Sequence, residues 1–349
     1  MTEQPVEFSL RPFLRTVASG RTLSADDAEA VFGAFMAGRA TPEEMAGFLV
    51  GLQARGIVAE EIAGGVRALR AAMVPVEAGA PEELVDTAGT GGGTVTTFNI
   101  STAAALVAAG AGARMAKHGN RSFTSRSGSA DVLEALGVTI QLTPERMGEV
   151  LDEVGIVFMF APLLHPAMRH VGPVRRALGV PTIMNLLGPL TNPAGARRQV
   201  VGVSDPDLLP LVVGGLQALG HAHALVVHGA PGMDELSPLG PTRVFELREG
   251  AVEESVVTPE SVGLSSGLEE SLAGGEPEDN AHLVRAVLAG ERRGGARTAV
   301  LMNAGAALYV GGLEPDLRSG VRRAAESIDG GAALDTLERL VRATGAEAA

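Results

Sequence analysis

Apolar positions recur at helical spacing through the first 80 residues. Ser24 stands before an amphipathic run over 25–37, and Thr41-Pro42-Glu43-Glu44 sets a cap, a first-turn proline and two acids before a second run over 45–55, which Gly56 stops. A third run, 60–73, places Ile62, Val66, Leu69 and Met73 on one face. Three helices with short links predict a small bundle over 1–80, and the apolar face left over is the expected contact of a homodimer. Past Pro75 and the Gly79-Ala80-Pro81 break the pattern changes. Short β-type segments at 83–86, 114–116, 138–142, 156–161, 200–203 and 224–228 alternate with helical runs at 101–109, 130–136, 144–154, 207–219 and 281–288. That alternation predicts a larger α/β domain over 81–349, with a mostly parallel central sheet flanked by helices on both faces. The stretch 242–258 reads as a β-ribbon and 337–342 as a closing helix.

Composition narrows the chemistry. The 349 residues suffice for a large core and include no cysteine, so thiolate metal sites and disulfides are excluded. Residues 1–15 mix Glu3, Glu7, Arg11 and Arg15 among apolar positions, unlike a secretory signal, and the alanine-rich stretch 101–112 is too short to span a bilayer. A cytoplasmic protein without a membrane partner is expected. Forty-one acidic residues against 28 basic ones give a formal charge of −13, which disfavours nucleic acid as a partner. Of those 28 cations only Lys117 is a lysine. A chain that otherwise writes every long cation as arginine has kept one compact ammonium, and its neighbourhood is where chemistry is sought first.

Two segments carry that chemistry. From Asp86 to Thr102 the chain reads DTAGTGGGTVTTFNIST, with four glycines in five residues between a predicted strand and a predicted helix. Such a turn brings backbone N–H groups close to an anion and aims a helix N-terminus at it; Thr97, Asn99, Ser101 and Thr102 add side-chain donors. The second segment, KHGNRSFTSRSGS from Lys117 to Ser129, again follows a predicted strand and opens a helix, and packs three Lys or Arg cations, four serines and a threonine into 13 residues. Two anion cradles suit one ligand with two phosphate groups.

These motifs, followed in order by HPAMRHVGPVRRALG, NLLGPLTNPAG and GMDELSP, resemble anthranilate phosphoribosyltransferase from the N-terminal helices to near the C-terminus. The resemblance implies a nucleoside phosphorylase/phosphoribosyltransferase-like fold whose helical domain is completed by a segment at about 165–190. It also implies transfer of a phosphoribosyl group from phosphoribosyl pyrophosphate to anthranilate, in tryptophan biosynthesis. The phosphoribosyl pyrophosphate loops carry over to Gly89, Gly92, Gly93, Thr97, Asn99, Ile100, Ser101 and Thr102, and to Lys117, His118, Gly119, Asn120, Arg121, Ser122, Phe123, Thr124, Ser125 and Ser129. Lys117 and Arg121 are the implied catalytic cations. Arg175 is the implied partner of the anthranilate carboxylate, with Gly89 and Asn120 near its ring and amine and 162–170 as a wall. Ser101, Asp234 and Glu235 match positions linked to Mg²⁺. Without the motif, Arg175 reads equally as a surface helix residue, and Asp234-Glu235 more readily as a solvated loop. His118 and His165 are available bases, though a neutral aromatic amine does not require one.

One departure is visible: relatives of this kind carry Asp-Gly after GTGG, and this chain carries Gly93-Thr94. The expected reaction is displacement with inversion at the anomeric carbon, assisted by alignment and by stabilisation of departing pyrophosphate. The competing readings are a pyrimidine nucleoside phosphorylase and a non-catalytic homologue that binds nucleotide or nucleic acid.

Overall fold

The computed structural model describes residues 8–122 and 126–345. In chain order α1 (Arg11–Ala18), α2 (Ala25–Met36), α3 (Pro42–Arg55) and α4 (Ala59–Ala72) come first. Then follow β1 (Leu84–Gly89), α5 (Ile100–Gly110), β2 (Arg114–Gly119), α6 (Ser129–Ala135), α7 (Pro144–Val154) and β3 (Ile156–Phe160). After α8 (Ala161–Leu164), α9 (Met168–Leu178) and α10 (Met184–Leu187), alternation resumes with β4 (Arg198–Gly202), α11 (Leu209–Ala218) and β5 (His223–Gly229). The ribbon β6 (Thr242–Arg248) and β7 (Ala251–Val257) leads to α12 (Pro277–Leu288), α13 (Gly295–Val310), α14 (Leu317–Asp329) and α15 (Ala332–Gly345). Two compact units result: one takes the residues up to Val74 with His165–Thr191, the other takes Pro75–Leu164 and the chain from Asn192 onward.

In the helical unit the sequence's capping signals are realised. Ser24 Oγ accepts Asp27 N–H, while Thr41 and Glu44 close a reciprocal capping box, so both helices start where their side chains satisfy the first free N–H groups. Phe32, Phe35 and Phe48 are fully buried and meet edge to face, with ring centroids 5.6 to 5.8 Å apart. The segment 165–191 belongs here because α9 packs on α2 and α3, and α10 packs on α4. Glu61 is buried with no exposure, accepting from Leu23 N at 3.0 Å, Val58 N at 3.2 Å and Arg55 Nη2 at 2.5 Å. It ties the entry of α2, the α3–α4 link and the last turn of α3 together.

The other unit is built on one sheet of order β3-β2-β1-β4-β5-β6-β7, parallel from β3 to β5 and antiparallel over β5-β6-β7. From β1 the chain adds strands first on one side (β2, β3) and then on the other (β4, β5). The carboxyl ends of β1 and β4 therefore form a topological switch point, where connecting loops diverge and leave a crevice. Helix α13 packs against α5, β1, β4 and β5, and every residue of it except Arg297 and Tyr309 is buried.

The parallel strands and the ribbon lie where alternation places them, and several run further than the apolar pattern: β1 continues to Gly89 and β2 to Gly119. The predicted strand at 138–142 is not one. Val138, Ile140 and Leu142 are buried alternately, but Thr139 N–H goes to Thr344 Oγ1 on α15 and the segment joins no strand. Alternating burial reports one apolar face, which a loop pressed on a helix supplies as well as a sheet does. Helices α1, α13 and α14 were not expected, and α15 is longer than 337–342. A helix buried all round, as α13 is, has no polar face and shows no 3.6-residue alternation.

Replacing Glu61 by alanine leaves Arg55 without its buried carboxylate and should lower the unfolding free energy by about 3 kcal/mol. Urea unfolding checks this, and a loss under about 1 kcal/mol would mean that Arg55 finds water instead.

Candidate active site

The glycine loop leaves β1 at the switch point and folds onto the segment after β5. Gly91 N–H donates to Asp234 Oδ2 at 2.8 Å, and Thr94 N–H to Gly232 O at 2.9 Å. A Cβ at Gly89 would lie 2.5 Å from Asp234 Oδ2, and one at Gly93 would lie 3.0 Å from Gly232 O. Gly91 and Gly92 have φ of +68° and +81°, the left-handed region glycine enters freely. The glycines thus let a carboxylate and a loop reach the ends of the strands. Gly202 does the same at the end of β4, where a Cβ would be 1.6 Å from Asp234 O. Asn303 of α13 clamps the far side, exchanging hydrogen bonds with Leu236 N–H and C=O at 3.0 Å each.

Lys117, near the end of β2, is 3% exposed. Its Nζ donates to Thr87 O at 2.7 Å and to Thr87 Oγ1 and Ser101 Oγ at 3.3 Å each. Ser101 sits in the first turn of α5, and its N–H donates to Glu235 Oε1 at 3.2 Å, so a half-buried carboxylate caps the positive end of this helix. Burial pushes the Lys117 ammonium down to about 8 against the pull of Asp86 and Glu235. Burial raises Asp234, and burial together with Asp234 raises Glu235 well above the usual range. On the other side of the sheet, Asp86 has no exposure and accepts His118 N–H at 3.2 Å, Asn192 Nδ2 at 2.9 Å and Gln199 Nε2 at 3.3 Å. Burial raises Asp86 as well, opposed first by Lys117.

The second loop is organised by Asp131. Its Oδ2 accepts Gly128 N–H at 2.8 Å and Ser122 N–H at 3.4 Å, while Arg121 Nη1 reaches Asp131 Oδ1 at 2.7 Å and Glu134 Oε2 at 2.5 Å. The Arg121 guanidinium therefore lies back on α6, 5.5 Å from the Phe160 ring centroid, rather than beside Lys117. Asn120 Oδ1 accepts Arg121 N–H at 2.7 Å, and a Cβ at Gly119 would lie 2.7 Å from the Phe158 ring and 3.4 Å from Ser129 Cβ. Asn99 Nδ2 donates to Ser127 O at 3.1 Å and joins the two loops. Thr97 bridges to Ala273, Ile100 is buried, and the hydroxyl of Thr102 is buried without a partner among the described residues. Phe123, Thr124 and Ser125 lie outside the described residues.

Of the residues that the resemblance assigns to anthranilate, Gly89 and Asn120 belong to the α/β unit and Arg175 to the helical one. Arg175 Nη2 is 3.5 Å from Asn185 Oδ1, and burial lowers its proton affinity. His165 is buried, which pushes it down to about 4 and keeps it neutral at pH 7. Neither of these facts needs a base. Sequence reasoning did not single out Asp86, Asn192, Asn280 or Asn303 as functional; Asp86, as the first residue of the glycine motif, and Asn192, inside NLLGPLTNPAG, carried a signal.

Among the described residues no three of His, Asp and Glu gather as a ready-made metal cage. Asp234 and Glu235 are nonetheless two adjacent half-buried carboxylates; burial raises the proton affinity of both, and Asp234 raises that of Glu235 further. That donor set fits Mg²⁺, which takes one or two carboxylates and completes its shell with water and phosphate oxygens. A Gly202→Ala substitution must push the 230–235 segment away from β4 and should cost about 2 kcal/mol or more of stability, read by urea unfolding; an unchanged midpoint would show that the segment is not held there.

Comparison with known proteins agrees with this geometry. The helical bundle domain of a glycosyl transferase family matches residues 11–73, and the a/b domain of the same family matches residues 81–334. Anthranilate phosphoribosyltransferase of Rubrobacter xylanophilus is 52% identical over 333 residues, 95% of this chain and 97% of that one. The crystal structure of the Thermus thermophilus anthranilate phosphoribosyltransferase superposes with a TM-score of 0.90 at 47% identity, over 95% of this chain and 98% of that one. The Saccharomyces cerevisiae enzyme in complex with phosphoribosyl pyrophosphate and Mg gives a TM-score of 0.88 at 27% identity, covering 97% and 98%. The pyrimidine nucleoside phosphorylase reading finds no such support. With two loops at one switch point, a buried lysine between them and relatives alike along nearly their whole length, the chain belongs to the anthranilate phosphoribosyltransferase family.

Proposed function

We propose that this chain transfers the phosphoribosyl group of phosphoribosyl pyrophosphate to the amine of anthranilate and releases pyrophosphate, a step of tryptophan biosynthesis. The observation that carries it is the Lys117 ammonium, buried at the root of both strand-end loops and bonded to Ser101 at the N-terminus of α5. The bond from the anomeric carbon to the pyrophosphate oxygen breaks, the bond from that carbon to the amine nitrogen forms with inversion, and the nitrogen's surplus proton passes to pyrophosphate or water. Charge grows on the departing pyrophosphate, and fixed donors aimed at it lower the barrier more than donors that must first reorganise. Lys117 supplies its fixed positive charge from behind Ser101, and the glycine loop and the start of α5 supply the N–H groups not already taken by Asp234, Gly232 and Glu235. Arg121 joins them by exchanging Asp131 and Glu134 for a phosphate, an inexpensive exchange because these are surface pairs. Arg175 takes the anthranilate carboxylate, with Gly89 and Asn120 toward the ring and amine.

Mg²⁺, held by Asp234 and Glu235 with Ser101 nearby, would neutralise pyrophosphate charge. The observation in favour is the adjacent, half-buried carboxylate pair; the yeast relative's complex with phosphoribosyl pyrophosphate and Mg points the same way. We read the protein as a cytoplasmic homodimer: no helix among the described residues is long and apolar enough to cross a membrane, and α3 leaves Val50 exposed.

Loss of anthranilate fluorescence on mixing with phosphoribosyl pyrophosphate should be rapid with Mg²⁺ and slow without it. Absence of loss over a wide Mg²⁺ range would sink the assignment. Lys117→Ala should reduce turnover by roughly 10²- to 10³-fold, the size of effect that loss of one preorganised electrostatic contact has elsewhere. Because Lys117 is pushed down to about 8, its charged form is present below that pH and is lost as pH rises through it. Turnover should therefore fall with rising pH between about 7.5 and 9.5, roughly tenfold per unit at the upper end. A flat profile there would show that the ammonium stays charged or plays no part.

A further inference from the structure

Asn99 immediately precedes α5, in the position where asparagine usually accepts a hydrogen bond from the second or third N–H of its helix. Here it makes no such bond, and the Ser101 N–H goes to Glu235 instead. Its amide works sideways instead. Nδ2 donates to Ser127 O at 3.1 Å, and Oδ1 accepts Ser127 Oγ at 3.3 Å and Asn280 Nδ2 at 3.0 Å. A hydroxyl both donates and accepts, so Ser127 Oγ does not decide which end of the Asn99 amide faces which way; the Ser127 carbonyl and the Asn280 amide do.

Asn280 lies in the first half of α12, 3% exposed, and its own polarity is fixed by a group that can only donate: Gly275 N–H reaches its Oδ1 at 2.8 Å. The bonds run in one direction, from Gly275 N–H through Asn280 and Asn99 to the carbonyl of Ser127. The segment that presents Gly275 is itself laid along the glycine loop. Phe98 N–H donates to Leu272 O at 2.9 Å, Thr97 bridges to Ala273, and a Cβ at Gly274 would lie 2.4 Å from Thr97 O. Asn280 is thus the joint at which three segments meet: the end of the first loop, the end of the second loop and the 272–276 stretch behind them.

We propose that Asn280 is a positioning residue for the two phosphate loops, acting through the amide of Asn99 rather than by touching the substrate. The inference rests on the phosphoribosyl pyrophosphate reading above and adds a residue to it. Turning the Asn99 amide over would set its oxygen against the Ser127 carbonyl and release the second loop from the first. Buried amides with every polar atom satisfied specify one arrangement, and a partly satisfied set does not.

The test uses Asn280→Asp, which keeps the size and the acceptor for Gly275 N–H but replaces the donor toward Asn99 by a carboxylate oxygen, and Asn280→Ala, which reads the same contact should the aspartate variant not fold. Titration calorimetry with phosphoribosyl pyrophosphate and Mg²⁺ should show affinity about tenfold weaker, near 1.4 kcal/mol, with the KM for anthranilate changed less than about twofold. In an Asn99→Ala background the same substitutions should add less than about twofold, since the contact they remove is already gone. Phosphoribosyl pyrophosphate affinity within about twofold of the parent, or effects that simply add to that of Asn99→Ala, would overturn the proposal. Turnover of the parent protein separates the two readings. A parent that binds phosphoribosyl pyrophosphate without consuming anthranilate overturns the acceptor assignment and leaves the Asn280 comparison standing.

Discussion

A charge taken out of water needs compensation from its surroundings, and the larger unit is arranged around one such charge, the ammonium of Lys117. It is 3% exposed and spends its hydrogen bonds on one carbonyl and two hydroxyls, which solvate it without neutralising it. Neutralisation is left to Asp86, which has no exposure, and to the half-buried Glu235. Burial disfavours the charged form of all three, so ionisation at this place is coupled: adding an anion beside Lys117 or a cation beside Glu235 changes the proton affinity of the others. The polyanionic substrate and divalent cation proposed above would bring both at once. Coupling of this kind makes the site responsive to its ligands' charge as well as to their shape.

The rest of the fold fixes where these groups stand, and it does so with small residues and amides. The order of strands puts the first loop and the segment after β5 at the same crevice, but proximity alone does not bring Asp234 onto a strand end. Gly202 and Gly229 do that: a Cβ at the first would meet Asp234 O and at the second would come within 2.4 Å of Glu235 O. Asn303 then holds Leu236 from α13, a helix buried so completely that it cannot shift without disturbing α5 and the sheet. Asn192 Nδ2 bridges Asp86 Oδ2 and Ala116 O, at 2.9 and 2.8 Å, which fixes the carboxylate relative to β2. Amides suit this work because each offers a donor and an acceptor at known separation and carries no charge to compensate.

Sequence reasoning reached the parts of this that lie close together along the chain. Strand, glycine turn and helix N-terminus are consecutive from Asp86 to Thr102, and the oddity of a lone lysine is a matter of counting. What it could not reach are relations across 100 residues or more, such as Gly91 with Asp234 or Asp86 with Asn192. No local pattern marks Asn280 or Asn303 as different from any other asparagine in a helix. The direction of Arg121 was also beyond it, because Asp131 and Glu134 compete with a phosphate for the same guanidinium and only coordinates show which pair is made. Helix α13 escaped because periodicity detects a helix through its exposed side, and this one has almost none.

The pair Gly93-Thr94 shows how a departure from a motif can be read physically. A side chain at 93 would begin 3.0 Å from Gly232 O and 3.6 Å from Asp234 Oδ1, so an aspartate there would set a further carboxylate against one already raised by burial. Glycine removes that repulsion. Thr94 fills the space from the next position, its N–H on Gly232 O at 2.9 Å and its hydroxyl so placed that a Cβ at Gly232 would lie 2.4 Å from it. The loop is therefore held to the 230–235 segment by backbone contact and close packing, and the negative charge of this region is left to Asp234 and Glu235. Should Mg²⁺ sit there as proposed, it would meet fewer carboxylates than a motif with an aspartate at 93 would offer, and water and phosphate oxygens would complete its shell.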